Sequence, residues 1–255
     1  MKIARFSHND AIKFGIVDGT ELVVLVGDPL FAGFDTTGER VSLADVALLA
    51  PVIPRSKVVC VGRNYRDHAA ELNNDVPSEP LLFFKPNTAV IGPGDAIVRP
   101  PQTNDTQWEG ELAVVIGKIA KNVAAADAAD VVFGYTIAND VTARDLQGPD
   151  RQWARAKGMD TFCPVGPAIE TEFDVSRGEI ITRHNDVEVQ RGAFTDMIFD
   201  IPTVIEYVSA AFTLLPGDLI LTGTPAGVGA FQAGDAVEVE VPGIGILRNI
   251  ARDAA

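Results

Sequence analysis

Two acidic residues at the head of an apolar run offer the first chemistry in this sequence. Glu109 and Glu111 stand two residues apart, just before the β-branched stretch 112–116. If that stretch is a strand, both carboxylates point to the same face. Adjacent negative charges are unfavourable unless something positive lies between them, and a divalent cation is the usual solution. The alternative is a solvated strand face that carries two acids.

A third carboxylate follows another predicted strand. Asp140 comes directly after the β-like run 131–139, a position from which a side chain reaches the rim of a sheet. Three carboxylates form the hard oxygen ligand set that suits Mg²⁺ or Mn²⁺. The spacing also allows three exposed, solvated acids, so it leaves both interpretations open.

A histidine and a glutamate could form a catalytic pair. His68 and Glu71 are three residues apart in the segment 64–72, which we predict to be a helix with Asn64 as its N-cap. A carboxylate beside an imidazole fixes its tautomer and raises its basicity. The alternative is an ordinary charge pair on a surface helix.

Three basic residues could bind carboxylates. Lys85 and Lys157 lie in apolar or glycine-bearing segments, and for each one alone a snorkelling surface lysine is the favoured interpretation. Arg144 could pair with Asp140 four residues earlier, or form an ordinary helix salt bridge. The glycine-rich loop 221–229 lacks the Lys-Ser/Thr ending of a P-loop, so its backbone N–H groups and Thr224 better suit an oxyanion.

Short strands must position most of these residues. Segments 2–6, 11–17 and 21–26 read as strands, 42–49 has helical spacing, and Pro51 and Pro54 then interrupt the chain. We therefore predict a small N-terminal β domain over residues 1–52 and a second domain over residues 53–255.

The second predicted domain is also rich in strands. Strands are expected at 57–61, 81–85 and 131–139, and a turn followed at once by a strand recurs at residues 93–98, 216–221 and 233–239. Segment 180–189 reads as a hairpin, while helices are expected only at 64–72, 142–147 and from Asp200, with Ile201, Val204, Ile205, Val208 and Phe212 on one face. This pattern favours a β-rich roll or barrel over a βαβ array.

Composition narrows the function classes. The 255 residues carry a formal net charge of −14, which disfavours nucleic acid and anionic membranes as partners. The sequence has no signal-peptide pattern and no apolar run of about 20 residues, so we expect a cytoplasmic protein. Cys60 and Cys163 lack metal-cluster spacing and are expected to be reduced.

Several motifs, in order from about residue 58 to 229, resemble the fumarylacetoacetate hydrolase superfamily. They are Val61-Gly62-Arg63-Asn64-Tyr65, His68 with Glu71, Phe84-Lys85-Pro86, Glu109-Gly110-Glu111-Leu112, Asn139-Asp140-Val141-Thr142, Ala156-Lys157-Gly158, Thr195-Asp196-Met197-Ile198-Phe199 and Thr222-Gly223-Thr224-Pro225. The resemblance implies a mixed β-sandwich roll with few helices, a homodimer, and a small anionic 2-oxo acid as substrate.

The resemblance also assigns roles to individual residues. It implies that Mg²⁺ or Mn²⁺ is the cofactor and that its ligands are Glu109, Glu111 and Asp140. It makes His68 and Glu71 a water-activating dyad. It places Lys157 and Gln147 against the 2-oxo acid, and it places Arg63, Tyr65 and Thr224 in the wall of the pocket.

The reaction implied by the resemblance is cleavage of a C–C bond in a β-dicarbonyl 2-oxo acid. Acylpyruvate hydrolysis and oxaloacetate decarboxylation both proceed through an enolate that a metal ion stabilises. The same chemistry permits isomerisation, as in 2-hydroxyhepta-2,4-diene-1,7-dioate isomerase and the linked decarboxylase of aromatic catabolism. A non-catalytic metabolite-binding protein on the same fold is the alternative from a different class.

Overall fold

Strands dominate the computed structural model, which describes residues 1–254. The strands are β1 (Lys2–His8), β2 (Ala11–Asp18), β3 (Glu21–Leu25), β4 (Thr36–Ser42), β5 (Ala47–Leu49), β6 (Val58–Gly62), β7 (Leu81–Lys85), β8 (Val90–Ile91), β9 (Ala96–Arg99), β10 (Thr106–Trp108), β11 (Gly110–Ile116), β12 (Val132–Asn139), β13 (Thr142–Ala143), β14 (Cys163–Glu170), β15 (Glu179–His184), β16 (Val187–Ala193), β17 (Leu219–Leu221), β18 (Gly229–Ala230), β19 (Ala236–Val241) and β20 (Gly245–Asp253).

The helices are short. The α-helices are α1 (Pro29–Ala32), α2 (Arg66–Glu71), α3 (Arg144–Asp150), α4 (Ala154–Gly158) and α5 (Ile201–Ala211), and 3-10 helices cover Leu43–Asp45, Asn87–Ala89, Ala125–Val131, Val175–Arg177 and Phe194–Asp196. Across residues 1–254, none of the helices combines the length and the apolar character that crossing a membrane requires.

Three sheets make up the fold. The largest follows the order β4-β3-β2-β1-β14-β12-β11-β17-β6-β7, with β5 beside β1 and β8 beside β14. A five-stranded sheet has the order β16-β15-β19-β20-β9, and a three-stranded sheet has the order β13-β10-β18. The predicted fold class, a mixed, β-rich sandwich roll with few helices, is confirmed.

The main core lies where the large sheet packs against the five-stranded sheet and α5. Every residue of β11 is buried, as expected for a central strand that is covered on both faces. The core cluster joins residues from four strands of the large sheet to residues from the smaller sheet and to the buried face of α5, among them Leu112, Ile137, Val239 and Ile205. This packing holds the ends of β11 and β12 rigidly beside each other.

The N-terminal strands extend the large sheet, because β1 pairs with β14 at Lys2 and Glu170. The helix predicted for residues 42–49 is wrong. Residues 43–45 form one 3-10 turn, in which the Ala44 N–H donates to the side chain of Ser42, and β5 follows. Leu49 pairs with Arg5 of β1, so hydrogen bonding to a neighbouring strand overrides the helical spacing of the segment. The division at residue 52 stays a prediction.

Most other predicted elements are confirmed, with two corrections. The helix at residues 64–72 begins at Arg66, and Asn64 is not its cap: the Asn64 side chain bonds the backbones of Phe199 and Thr222 instead. Phe212 follows α5 and is 36% exposed, so it does not belong to the buried face of that helix. Asp200 caps α5 as its position predicts.

Candidate active site

Strand pairing brings the three carboxylates together. Gly110 of β11 pairs with Asn139 of β12, so the residues just outside this pair, Glu109 and Asp140, become neighbours. The Asp140 N–H donates to the Glu109 carbonyl at 2.8 Å, and the Glu109 N–H donates to Asn139 Oδ1 at 3.0 Å. Glu111 lies two residues along β11 and reaches the same side.

The carboxylate cluster has the chemistry of a divalent-metal site. One oxygen from each of Glu109, Glu111 and Asp140 lies within 4.8 Å of the others, and all three side chains are buried. Burial, followed by the charges of Asp140 and Glu109, raises the pKa of Glu111 well above its usual range. A divalent cation between these oxygens would remove that cost, so the residues present fit such an ion.

Two cations neutralise the outer part of the cluster. Lys157 Nζ donates to Glu109 Oε2 at 2.5 Å and to Asp140 Oδ2 at 2.6 Å, and Arg144 Nη2 donates to Glu109 Oε1 at 2.5 Å. Burial alone would raise the pKa of Glu109, but the charges of Lys157 and Arg144 outweigh it and lower that pKa. Burial alone would lower the pKa of Lys157, but Asp140 and Glu109 raise it. Glu109 and Lys157 are therefore both charged at neutral pH.

Lys85 is a third cation in contact with the cluster. The surface interpretation is wrong for Lys85 and for Lys157, which are 1% and 2% exposed. Lys85 Nζ lies 2.6 Å from Asp140 Oδ1 and donates to the carbonyls of Val141, Phe162 and Lys157. Lys85 thus holds the Asp140 carboxylate in place from the side opposite to Lys157, which contacts Oδ2.

The histidine and glutamate of α2 form a pair at the same cavity. His68 Nδ1 lies 3.2 Å from Glu71 Oε2, and the Gly227 N–H donates to Glu71 Oε1 at 3.0 Å. An ionised carboxylate only accepts, so Nδ1 carries the proton and donates it, which leaves Nε2 free to take a proton. His68 is 4% exposed, unlike a surface charge pair.

One cavity of about 150 Å³ joins these groups. The predicted residues that line it include the three carboxylates, His68, Lys157, Arg63, Gln147 and Thr224. Two predicted residues do not line it: Glu71 is paired with His68, and Tyr65, whose backbone pairs with Met197, borders a neighbouring groove. Burial raises the pKa of Tyr65, and its buried hydroxyl has no hydrogen-bond partner among residues 1–254.

Sequence reasoning missed several residues of the site. Trp153 and Phe83 supply an aromatic wall, with ring centroids 5.2 Å apart at an interplanar angle of 71°. Gln190 accepts from the Gly110 N–H at 3.1 Å and donates to Thr224 Oγ1 at 2.9 Å, so it links the strand of the carboxylates to the glycine-rich loop. Gln190 continues the apolar-polar alternation of Val187, Glu188 and Val189, so the sequence carries no local signal of its burial.

The fold and the site together define a β-sandwich protein with a buried carboxylate cluster suited to a divalent cation. Comparison with known families specifies the class further. The family model for the fumarylacetoacetate (FAA) hydrolase C-terminal region matches residues 57–251, and a model named Rv2993c-like, N-terminal, matches residues 1–51. The chain belongs to the fumarylacetoacetate hydrolase family.

Relatives of this chain carry out several reactions. The human mitochondrial oxaloacetate tautomerase FAHD2A is 45% identical over 218 residues, which cover 81% of this chain and 69% of that protein. The 2-hydroxyhepta-2,4-diene-1,7-dioate isomerase from Mycobacterium marinum is 44% identical, with a TM-score of 0.92 over 100% of this chain and 99% of that one.

A third relative was crystallised with ligands. The maleylpyruvate hydrolase from Sphingobium sp. SYK-6, in complex with manganese (II) ion and pyruvate, is 31% identical, with a TM-score of 0.82 over the whole of both chains. Members of the family are thus hydrolases, isomerases and tautomerases, and they bind divalent metals.

Proposed function

We propose that this chain is a divalent-metal-dependent enzyme that cleaves a C–C bond in a β-dicarbonyl 2-oxo acid. The reaction is hydrolysis of an acylpyruvate, decarboxylation of oxaloacetate, or both. The observation that carries the proposal is His68, which is paired with Glu71 and lines the same cavity as the buried carboxylates. A base opposite a cation site is the arrangement that enolate-forming reactions need.

Glu109, Glu111 and Asp140 would hold Mg²⁺ or Mn²⁺. When bound, the ion supplies positive charge that stabilises an enolate. The manganese and pyruvate bound to the related maleylpyruvate hydrolase support this assignment. Lys157 donates two of its three ammonium protons to Glu109 and Asp140, so the third can form a hydrogen bond to the substrate carboxylate.

The chain's own residues provide the remaining chemistry. In hydrolysis, His68 Nε2 accepts a proton from water as the water oxygen adds to the distal carbonyl carbon of an acylpyruvate. The bond from that carbon to the pyruvate portion then breaks, and its electron pair enters the pyruvate enolate. Glu71 stabilises the imidazolium that forms, and the imidazolium then returns its proton to the enolate carbon, which gives pyruvate and regenerates the base. Gln147, held by Arg144 at 2.7 Å, orients the 2-oxo acid.

Oxaloacetate needs no water attack, because CO₂ leaves directly. His68→Ala should therefore lower the kcat of acylpyruvate hydrolysis by about 10²- to 10⁴-fold and leave oxaloacetate decarboxylation within a few-fold of the wild type. His8→Ala, at the half-buried end of β1 and outside the cavity, is the matched control. If His68→Ala left both activities intact, the dyad would have no role in activating water.

Metal dependence has its own test. A kinetic panel of oxaloacetate, acetylpyruvate and fumarylpyruvate should show turnover with Mg²⁺ or Mn²⁺ and loss of turnover in EDTA. Glu109→Gln or Asp140→Asn should abolish metal-dependent turnover and weaken Mg²⁺ binding measured by calorimetry. Full activity in EDTA would refute the metal assignment, and intact metal binding without turnover of any 2-oxo acid would favour a non-catalytic binding protein.

Tautomerisation of oxaloacetate is the second candidate. It is favoured by the 45% identity to a human oxaloacetate tautomerase, and it uses the same base, since moving a proton between carbon and oxygen also requires a general base. The decay of enol absorbance on mixing with enol-oxaloacetate measures this activity. If the enol decays fast and neither CO₂ nor pyruvate is released, the function is tautomerisation and not C–C bond cleavage.

A further inference from the structure

The cavity has a charged residue that no protein group neutralises. Arg63 lines it, and within residues 1–254 the Arg63 guanidinium makes no hydrogen bond or ion pair to the protein. In contrast, Arg144 donates to Gln107, Gln147 and Glu109, and Lys157 donates to two carboxylates. Arg63 therefore differs from the other two cations that line this cavity, because its charge is not matched by a carboxylate within the described part of the chain.

The backbone holds Arg63 in place. Arg63 follows Gly62 at the end of β6 and has a φ of 57°, a left-handed conformation that a residue with a long side chain rarely adopts. Such a conformation persists where the surrounding structure imposes it, and it is concentrated at ligand-binding sites. Here it accompanies a turn that directs the chain from the sheet into α2.

An aromatic wall connects Arg63 with the carboxylate end of the cavity. Trp153 and Lys157 are one helical turn apart, as the Lys157 N–H donates to the Trp153 carbonyl at 2.9 Å. Lys157 Nζ lies 5.1 Å from the Phe83 ring centroid, and Arg63 Cζ lies 5.9 Å from the Trp153 ring centroid. Since Phe83 packs edge-on against Trp153, the cavity wall runs from Lys157 over two rings to Arg63.

Gly62 allows this wall to form. A Cβ at residue 62 would lie 2.8 Å from Trp153 Cζ3, so only glycine lets the Trp153 ring pack against the end of β6. The Trp153 ring face can then support the guanidinium of Arg63 through a cation–π contact. A guanidinium supported in this way loses little freedom when it binds a planar carboxylate.

Charge and size indicate what binds there. The three carboxylates are matched by Lys157, Arg144 and Lys85, so a bound divalent ion and Arg63 leave the cavity with excess positive charge. A cavity of about 150 Å³ holds a molecule of roughly the size of benzene. The 2-oxo acid head group fills such a space, and a longer substrate extends towards the half-buried Arg63.

We infer that Arg63, stacked over Trp153, binds a second carboxylate at the end of the substrate remote from its 2-oxo acid group. The inference rests on the proposed function and makes the substrate class narrower: dicarboxylic 2-oxo acids bind in preference to those with a neutral tail. Arg63 and Trp153 are thus specificity-determining residues, and the carboxylate cluster is not involved in the choice.

Two unreactive ligands isolate this interaction. 2-Oxoglutarate and 2-oxobutyrate share a 2-oxo acid head group and differ only in the distal carboxylate. Calorimetry with Mg²⁺ present should show that the wild type prefers 2-oxoglutarate. Arg63→Gln should weaken 2-oxoglutarate binding by about 10- to 100-fold, the usual effect of losing a charge-assisted hydrogen bond, and leave 2-oxobutyrate binding within about 2-fold.

Further variants separate recognition from folding. Arg63→Lys keeps the charge and should recover part of the preference, whereas Trp153→Leu should reduce it. Arg66→Gln is the matched control, because Arg66 is exposed and borders the neighbouring groove. Equal thermal melting of Arg63→Gln and the wild type shows that the variant is folded.

The outcomes distinguish the inference from the proposed function. An active wild type that shows no preference for 2-oxoglutarate refutes the inference alone. The inference is also refuted if Arg63→Gln weakens the binding of both ligands equally. A wild type that binds neither ligand and turns over no 2-oxo acid refutes the proposed function and the inference with it.

Discussion

Replacing Lys85 with methionine tests whether the buried ion network stabilises the site. Lys85 is 1% exposed, and its ammonium lies 2.6 Å from Asp140 Oδ1. It donates to the carbonyls of Val141 between β12 and β13, Lys157 in α4 and Phe162 just before β14. Methionine fills a similar volume but offers no donor. The variant therefore leaves the Asp140 carboxylate with only Lys157 as a cationic partner. It also removes a donor from three carbonyls, of which only that of Phe162 keeps a donor among residues 1–254, the Val141 N–H at 3.2 Å.

The magnitude follows from these contacts. Breaking a buried ion pair by removal of one partner costs about 3–5 kcal/mol. In a chain of this size, 1 kcal/mol shifts the Tm by about 2–4 °C, so the Tm should fall by about 6–20 °C. Because the variant's carboxylate cluster is more negative, Mg²⁺ should raise its Tm by more than it raises that of the wild type.

Calorimetric or circular-dichroism melting with and without Mg²⁺ measures both effects. Lys13→Met is the matched control, because Lys13 forms a partly exposed pair with Glu39 at 2.8 Å, and its loss should cost about 1 kcal/mol or less. The reasoning is refuted if Lys85→Met lowers the Tm no more than Lys13→Met does.

Three further predictions concern other parts of the fold. Gly110→Ala should destabilise the protein by about 1–3 kcal/mol in urea, because its Cβ would clash with a threonine behind the strand; an unchanged midpoint contradicts this. Gln190→Leu frees Thr224 and should raise the KM by up to about 10-fold, and it should lower the free energy of unfolding by about 1–3 kcal/mol because the buried Gly110 N–H loses its acceptor; an unchanged KM argues against this link. Hydrogen bonding, first from Asn185, lowers the pKa of Asp235 to about 2. Its stabilising contribution is present above about pH 4 and is lost as the pH falls through about 2, so Asp235→Asn should destabilise at pH 7 and progressively less in acid; a pH-independent difference between the two proteins contradicts this.

The local sequence pattern was sufficient to locate most of the strands and helices. Alternating and β-branched runs located the strands, and the turn at Asn185 and Asp186 has the positive φ values, 49° and 66°, that a tight hairpin requires. The three-residue spacing of His68 and Glu71 was enough to expect a pair, since helical pitch alone brings such side chains together.

Contacts between distant segments were beyond this kind of reasoning. Residues 42–49 have the spacing of a helix, but pairing with β1 makes part of them a strand. Nothing local distinguishes Lys85 and Lys157 from surface lysines, because their burial depends on carboxylates that other strands present. Tyr65 belongs to the same motif as Arg63, but strand pairing with Met197 places it outside the cavity.

Residue types and short spacings thus determined the candidate chemistry: three acids, a histidine with its carboxylate, and a lysine. Only the tertiary structure decided that β11 and β12 pair at Gly110 and Asn139, which sets Glu109 beside Asp140. It also decided that Trp153 and Arg63 border the same cavity. The physical reason is that periodicity reports the neighbours within one element, whereas register and desolvation depend on how all the elements pack.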